Sequence, residues 1–170
     1  MNYKIEAIDI LLNEDCILQR YYPLIPYKTM LLHNLLKNRY LTKEECLTLQ
    51  DEVLIQMGLP DGDMVQLFRL FLNMYDVKPG KLKEIDKVSE NEEEKKVFQE
   101  LYQLPGVKAV RARLYASAGY LDLIKIAVAS PEQIISDTEK VILQNKLDLK
   151  VPLLKEVKTH IAVAKALTQD

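Results

Sequence analysis

The sequence predicts an all-α protein, with an N-terminal helical bundle followed by a C-terminal helical domain. Apolar residues recur at spacings of three and four along most of the chain, which is the period of helices with one buried face. Strand-like alternation between turn signals is absent from the sequence. Glycine is scarce, at 5 of 170 residues, and the prolines fall between apolar runs, as expected for short helices joined by tight turns.

Two helices are predicted at the start of the chain. Residues 5–18 and residues 27–38 each place their apolar side chains on one helical face. Pro23 and Pro26 separate these two segments, and proline both lacks a backbone donor and disfavours a helix at the residue before it. The intervening residues are therefore predicted to form an extended link.

Capping signals locate the next two helices. Thr42 followed by Glu45 is a capping-box pattern, which opens a predicted helix over 43–57. Gly58 then fits the left-handed backbone position that ends a helix. A further helix, about 64–75, is apolar nearly all round and is expected to be the buried centre of the N-terminal half.

A domain boundary is predicted where Pro79 and Gly80 interrupt the helical pattern. We expect a helical bundle over residues 1–78. A charged linker and the start of a helix follow over 79–96, and the second domain covers 97–170.

The second domain begins with another capping signal. Ser89 followed by Glu92 predicts a helix that runs to about residue 103. A turn over 104–107 and a further helix follow, with Gly119 as the predicted helix stop.

Three more helices complete the predicted second domain. A short one covers about 121–128, and Ser130 with Pro131 caps the next one, since proline suits the first helical position. The last covers about 152–168.

Part of this domain carries a family resemblance. The residues that match are, in order, Leu104-Pro105-Gly106-Val107, Arg111-Ala112, Leu114-Tyr115, Ala118-Gly119-Tyr120, Leu123, Ile126-Ala127, Ser130-Pro131-Glu132, Pro152 and Lys155-Glu156. With these residues the stretch 97–167 resembles helix-hairpin-helix domains, and more closely an uncharacterised bacterial subfamily of that group. The resemblance implies a SAM-like helical domain in which the Leu-Pro-Gly turn ties two helices.

The resemblance also implies a nucleic-acid contact. Helix-hairpin-helix proteins hold a DNA backbone without reading bases, through the turn and the free N–H groups that open the second helix. The matching candidate residues here are Gly106, Val107, Lys108, Arg111 and Arg113.

The chain departs from the family pattern at one position. The family usually has a second glycine two residues after the first, and this chain has Lys108 there. Its side chain either blocks close approach of a phosphate or supplies charge together with Arg111 and Arg113. The alternative interpretation is a structural turn that connects two helices, with those three side chains in solvent.

Charge favours the C-terminal part for an anionic partner. The net charge is −2, which argues against a globally basic nucleic-acid binder. Residues 1–104 hold 13 basic and 18 acidic residues, whereas residues 105–170 hold 10 basic and 7 acidic residues.

Targeting signals and reactive motifs are sparse. Two cysteines, no secretion signal and no long apolar run predict a cytoplasmic protein without a membrane segment. His33 and His160 lack metal-ligand spacing, and His160 is expected to be a packing or boundary residue of the last helix. Cys46 lies on an apolar stripe, where cysteines are usually inert. No cofactor or small-molecule substrate is indicated.

Three functions remain open from the sequence. The first is a non-enzymatic protein that binds nucleic-acid backbone through the hairpin. The second is a protein-interaction module, self-associating as a homodimer, in which the hairpin is only architecture. The third is an enzyme whose site is assembled from scattered residues.

Overall fold

The all-α prediction is confirmed by the computed structural model, which describes residues 2–169. No β-strand forms within this range, and the only extended pairing there is an isolated bridge between Lys4 and Thr42. Two 3-10 helices cover Ile5–Ala7 and Gln19–Tyr27. The α-helices are α1 Ile8–Leu11, α2 Lys28–Lys37, α3 Lys43–Leu47, α4 Asp51–Gln56, α5 Gly62–Leu72, α6 Pro79–Val88, α7 Glu92–Leu101, α8 Ala109–Ser117, α9 Leu123–Val128, α10 Pro131–Gln144 and α11 Leu154–Thr168.

The chain divides into two compact units. Unit 1 combines Met1–Met74 with Ala166–Asp170, and unit 2 is Tyr75–Lys165. No helix within residues 2–169 combines the length and the apolar character that a membrane span needs. Each unit is described separately below.

Helix α5 supplies the core of unit 1. Phe68 and Phe71 are fully buried, and the ring of Tyr21 meets Phe71 edge-on at a centroid distance of 5.8 Å. The hydroxyl of Tyr3 donates to the Leu72 carbonyl oxygen at 3.0 Å. The helix is not buried all round as predicted, because Leu70 is 57% exposed.

The prediction of one helix over 5–18 is wrong. Helix α1 ends at Leu11, and the side chain of Asn13 accepts the backbone N–H of Asp15 at 3.0 Å. Asparagine side chains compete in this way with the helical hydrogen-bond ladder. The local turn at Asn13 therefore replaces the last part of the predicted helix.

The prediction of an extended link around the two prolines is also wrong. Residues Gln19–Tyr27 form a 3-10 helix that contains Pro23 and Pro26. Proline fixes φ near −65°, which a 3-10 helix accepts. Burial of Tyr21 and Leu24 then holds this helix on the core.

The predicted helix over 43–57 is broken in the middle. Its capping box at Thr42 is confirmed, but α3 and α4 are separate helices. The guanidinium of Arg69 donates to the carbonyl oxygens of Leu47 and Leu49, at 3.2 and 2.8 Å. Arg69 thus satisfies carbonyl groups at the break that a continuous helix would have used itself.

Unit 2 begins with a helix where the sequence predicted a charged linker. Pro79 and Gly80 open α6 rather than stopping a helix, and proline is well suited to that first position. The helix buries Ile85, and Asp86 forms an ion pair with Lys95 at 2.6 Å. This ion pair joins α6 to α7.

The predicted capping box at Ser89 is wrong by two residues. The hydroxyl of Ser89 donates to the carbonyl oxygen of Ile85, so it closes α6 instead of opening α7. The residue that caps α7 is Asn91, whose side chain accepts the backbone N–H of Glu94 at 2.8 Å. Asn91 directly precedes the first residue of α7, and asparagine is among the residues preferred at this position.

The remaining helix signals are confirmed. The side chain of Ser130 caps α10 as predicted, and the side chain of Asp61 caps α5. Gly58, Gly106 and Gly119 have φ values of +134°, +73° and +97°, in the left-handed region that favours glycine.

Candidate functional site

The turn Leu104–Val107, called the hairpin turn below, connects α7 to α8 in unit 2. Leu104 and Val107 are each 1% exposed, and the Val107 N–H donates to the Leu104 carbonyl oxygen at 3.2 Å. Gly106 is exposed, and a Cβ atom added there would meet open space. Of the predicted contact residues in the turn, Gly106 is therefore accessible, whereas Val107 anchors the turn in the core.

His160 of α11 holds the hairpin turn in place. Its Nε2 atom lies 2.8 Å from the carbonyl oxygen of Pro105, and its Nδ1 atom lies 2.7 Å from the hydroxyl oxygen of Tyr115. A carbonyl oxygen can only accept, so Nε2 carries the proton and donates it. In a neutral ring Nδ1 then accepts the hydroxyl hydrogen of Tyr115. One side chain thus ties together the turn, α8 and α11.

Arg111 is bound inside unit 2. Its Nε and Nη2 atoms donate to the two carboxylate oxygens of Glu156 at 2.9 and 3.3 Å. This two-point geometry is the strong form of an arginine–carboxylate pair. The pair links α8 to α11, and a phosphate that bound Arg111 would have to compete with Glu156.

Arg113 is also bound inside unit 2. Its Nη2 atom donates to the carboxylate of Glu94 at 2.7 Å and to the carbonyl oxygen of Val88 at 3.1 Å. The guanidinium carbon lies 5.3 Å from the ring centre of Phe98. The hydrogen bond from Arg113 lowers the pKa of Glu94. Arg113 therefore joins α8 to the start of α7.

Lys108 is the predicted cation that forms no ion pair within residues 2–169. It is exposed and precedes α8 at the N-cap position, where its side chain makes no capping bond. With Lys150 it lines a surface depression of about 560 Å³ that also contains the carboxylates of Glu84 and Glu156. Neither lysine forms an ion pair with any residue in the described range.

An apolar groove adjoins this depression. It has a volume of about 330 Å³, and the two cavities share Val110 and Leu149. Val110 is 61% exposed and Leu147 is 40% exposed, so apolar surface of unit 2 faces solvent here. We call this feature the apolar groove and define it by its apolar lining residues, Val110, Leu114, Val141, Leu147 and Leu149.

The sequence analysis missed the part of this groove that follows α10. Lys146 has a φ of +50°, and the N–H of Leu147 donates back to the Ile142 carbonyl oxygen at 3.0 Å. This is the hydrogen-bond pattern of a helix end with a left-handed residue. The chain then runs without regular structure to Leu153. The sequence feature that could have predicted this apolar surface is the set of leucines at 147, 149 and 153 in a stretch without helical spacing.

The cysteines do not form a reactive site. Cys16 and Cys46 are both buried and unpaired. Burial raises the pKa of Cys46 to about 12, which keeps its thiol protonated and unreactive at neutral pH. Among residues 2–169, no three His, Cys, Asp or Glu side chains are grouped to hold a metal ion.

Comparison with known proteins gives no relative: no family model, no curated protein and no solved structure matches this chain. The resemblance of residues 97–167 to helix-hairpin-helix domains therefore stays a prediction.

Proposed function

We propose that this protein is a non-enzymatic protein-interaction module whose apolar groove receives an apolar segment of an acidic protein partner. The observation that carries the proposal is the exposed apolar lining of that groove. Val110 on α8 and Leu147 and Leu149 after α10 line one cavity, and all three are exposed, at 61%, 40% and 36%. Clustered exposed apolar surface of this kind marks interaction sites.

The charges near the groove support an acidic partner. Lys108, Lys146 and Lys150 form no ion pair within the described range, and Lys146 directly precedes Leu147. Two carboxylates without such a pair stand against them, Glu84 in the neighbouring depression and exposed Asp148 between Leu147 and Leu149, so the lysines remain in excess. Carboxylates beside the apolar segment of a partner would complement these lysines.

The same charges argue against a symmetric homodimer through the groove. In a twofold dimer the same patch of both copies meets itself. Lys108, Lys146 and Lys150 of one copy would then face the same lysines of the other. Juxtaposed like charges disfavour such an interface.

The substitution Val110→Asp tests the proposal. Val110 is the second residue of α8, where an aspartate favours the helix dipole, so we expect the fold to tolerate the change. Ile124→Asp is a matched control, because Ile124 is also the second residue of its helix, is 62% exposed and does not line the groove.

The probe is a displayed library of random peptides, selected on the full chain. We expect enrichment of peptides that combine leucine-like side chains with acidic flanks. Val110→Asp should weaken the selected peptides about tenfold or more, which corresponds to about 1.4 kcal/mol, whereas Ile124→Asp should not. Selection of basic peptides, equal effects of both variants, or a dimer that Val110→Asp dissociates would contradict the proposal.

A second candidate function is binding to nucleic-acid backbone without base recognition. The observation in its favour is that Lys108 stands at the N-terminus of α8 beside exposed Gly106, with Lys150 across the same depression. Backbone N–H groups and a cation at a helix start suit a phosphate. The ion pairs of Arg111 and Arg113 reduce the cationic charge that remains for it.

A salt titration tests this candidate with duplex and single-stranded DNA. If the backbone is bound, affinity should fall steeply between about 50 and 200 mM salt, since bound phosphates release counterions. The double variant Lys108→Glu with Lys150→Glu should abolish binding. The charge-matched control is Lys125→Glu with Lys140→Glu, two exposed lysines on α9 and α10 that do not line the depression. Equal effects of the two variants, or no binding at low salt, would exclude the candidate.

One feature supports a location inside the cell. Both cysteines stay unpaired in the structure, as is usual for thiols in a reducing compartment. A cytoplasmic location is therefore part of the proposal. Cell fractionation with an antibody to the chain would test it.

A further inference from the structure

We propose that His160 is a proton-sensitive latch, which holds the hairpin turn and α8 against α11 while its ring is neutral and loosens them when the ring takes up a proton. The latch is a property of unit 2 alone. It goes beyond the proposed function, because it exists whether or not the groove binds a partner.

The two hydrogen bonds of His160 require a neutral ring. Nε2 donates to Pro105 and Nδ1 accepts from Tyr115, which uses both nitrogen atoms. A protonated ring has a donor at each nitrogen. The Tyr115 hydroxyl then loses its acceptor and must direct its hydrogen elsewhere, although the residue is fully buried. A buried donor without a partner destabilises the folded state.

The surroundings do not offset the new charge. His160 is 2% exposed, and burial lowers its pKa below the ordinary value of 6.5. Glu156 on α11 favours the proton and Arg111 on α8 disfavours it, but these two side chains already pair with each other. The other group on α8 that faces the ring is Tyr115, and the hairpin turn presents only the Pro105 carbonyl oxygen.

The pH window follows from the direction of this shift. The unfolded chain takes up the proton at its histidine near pH 6.5, whereas the folded chain takes it up only at lower pH. Between these two values the unfolded state binds more protons, so stability falls as the pH falls. Above pH 6.5 the latch is closed, and its contribution does not change with pH.

Opening of the latch reaches the proposed binding surface. Lys108 and Val110 stand at the start of α8, directly after the turn that His160 holds. If the proposed function is correct, mild acid weakens partner binding through this end of α8. The experiment below needs no partner, so its outcome is independent of that function.

The test is NMR on the full chain between about pH 7.5 and 5.5, the range in which histidine titrates. We expect nitrogen shifts that show the His160 proton on Nε2, and protonation only below pH 6.5. Hydrogen-exchange protection of the Val107 and Ala112 amides, which the turn and α8 hold, should fall more than that of Ile134 in α10. A proton on Nδ1, or equal loss of protection at all three amides, would overturn the latch.

Equilibrium unfolding of variants isolates the histidine. Over the same range the folding constant of the wild type should fall, by at most tenfold per pH unit, relative to His160→Gln. His33→Gln, at the other and exposed histidine, should behave as the wild type does. If His160→Gln does not fold, the hydrogen-exchange comparison of the three amides decides the proposal by itself. A fall that disappears in His33→Gln, or that is as large in His160→Gln as in the wild type, would overturn the proposal.

Discussion

Single residues in unit 2 have partners that lie far along the chain. Arg111 and Glu156 are 45 positions apart, and His160 reaches back 55 positions to Pro105. The resemblance to helix-hairpin-helix domains implied that Arg111 and Arg113 are cations that could meet a phosphate. Both side chains instead join helices of their own unit. Of the three predicted cations, only Lys108 forms no ion pair within residues 2–169.

The backbone conformation of Lys146 is expected to lower the stability of the fold. Lys146 adopts a φ of +50° after α10, a conformation that glycine accepts without strain and lysine does not. We expect Lys146→Gly to raise the free energy of unfolding by about 0.5–1 kcal/mol, measured by urea denaturation. Lys140→Gly, an exposed change inside the same helix, should lower it by about 1 kcal/mol. A loss of stability in Lys146→Gly would show that its side chain, not its backbone, matters there.

At the scale of elements, the helix starts were predicted better than the helix lengths. A start depends on one side chain and the N–H two or three residues later, as at Thr42, Asp61 and Ser130. The length of a helix depends on which other groups compete for its backbone hydrogen bonds. The helix predicted over 5–18 ends early, where the Asn13 side chain forms a local hydrogen bond. The helix predicted over 43–57 is divided where Arg69, about twenty residues further along the chain, binds its carbonyl oxygens.

The start of α7 gives a test at the element scale. Asn91→Ala removes the acceptor of the Glu94 N–H and should lower the free energy of unfolding by about 1 kcal/mol. Ser89→Ala should cost about 0.5 kcal/mol or less, because Ser89 only donates to the Ile85 carbonyl oxygen at the end of α6. Urea denaturation of the two variants compares them directly. A larger effect at Ser89 would restore the capping box that the sequence predicted.

The net charge of the whole molecule is close to zero, although its two parts differ in charge. The net charge of −2 combines an acidic N-terminal part with a basic C-terminal part. The apolar groove and its unpaired lysines both belong to the basic part. The region that attracts an acidic partner is therefore the same region that offers it apolar contact. The charge proposed for the partner and the surface proposed to bind it are consistent for this reason.

The sequence by itself determined the helical class, most helix starts and the left-handed glycines, because these depend on contacts within a few residues. It also located the hairpin turn. The tertiary structure alone decided which side chains stay accessible. Val107 became a core residue, Arg111 was paired with Glu156, and the exposed leucines after α10 were gathered beside Val110. These outcomes depend on contacts between distant helices, and no local pattern encodes them.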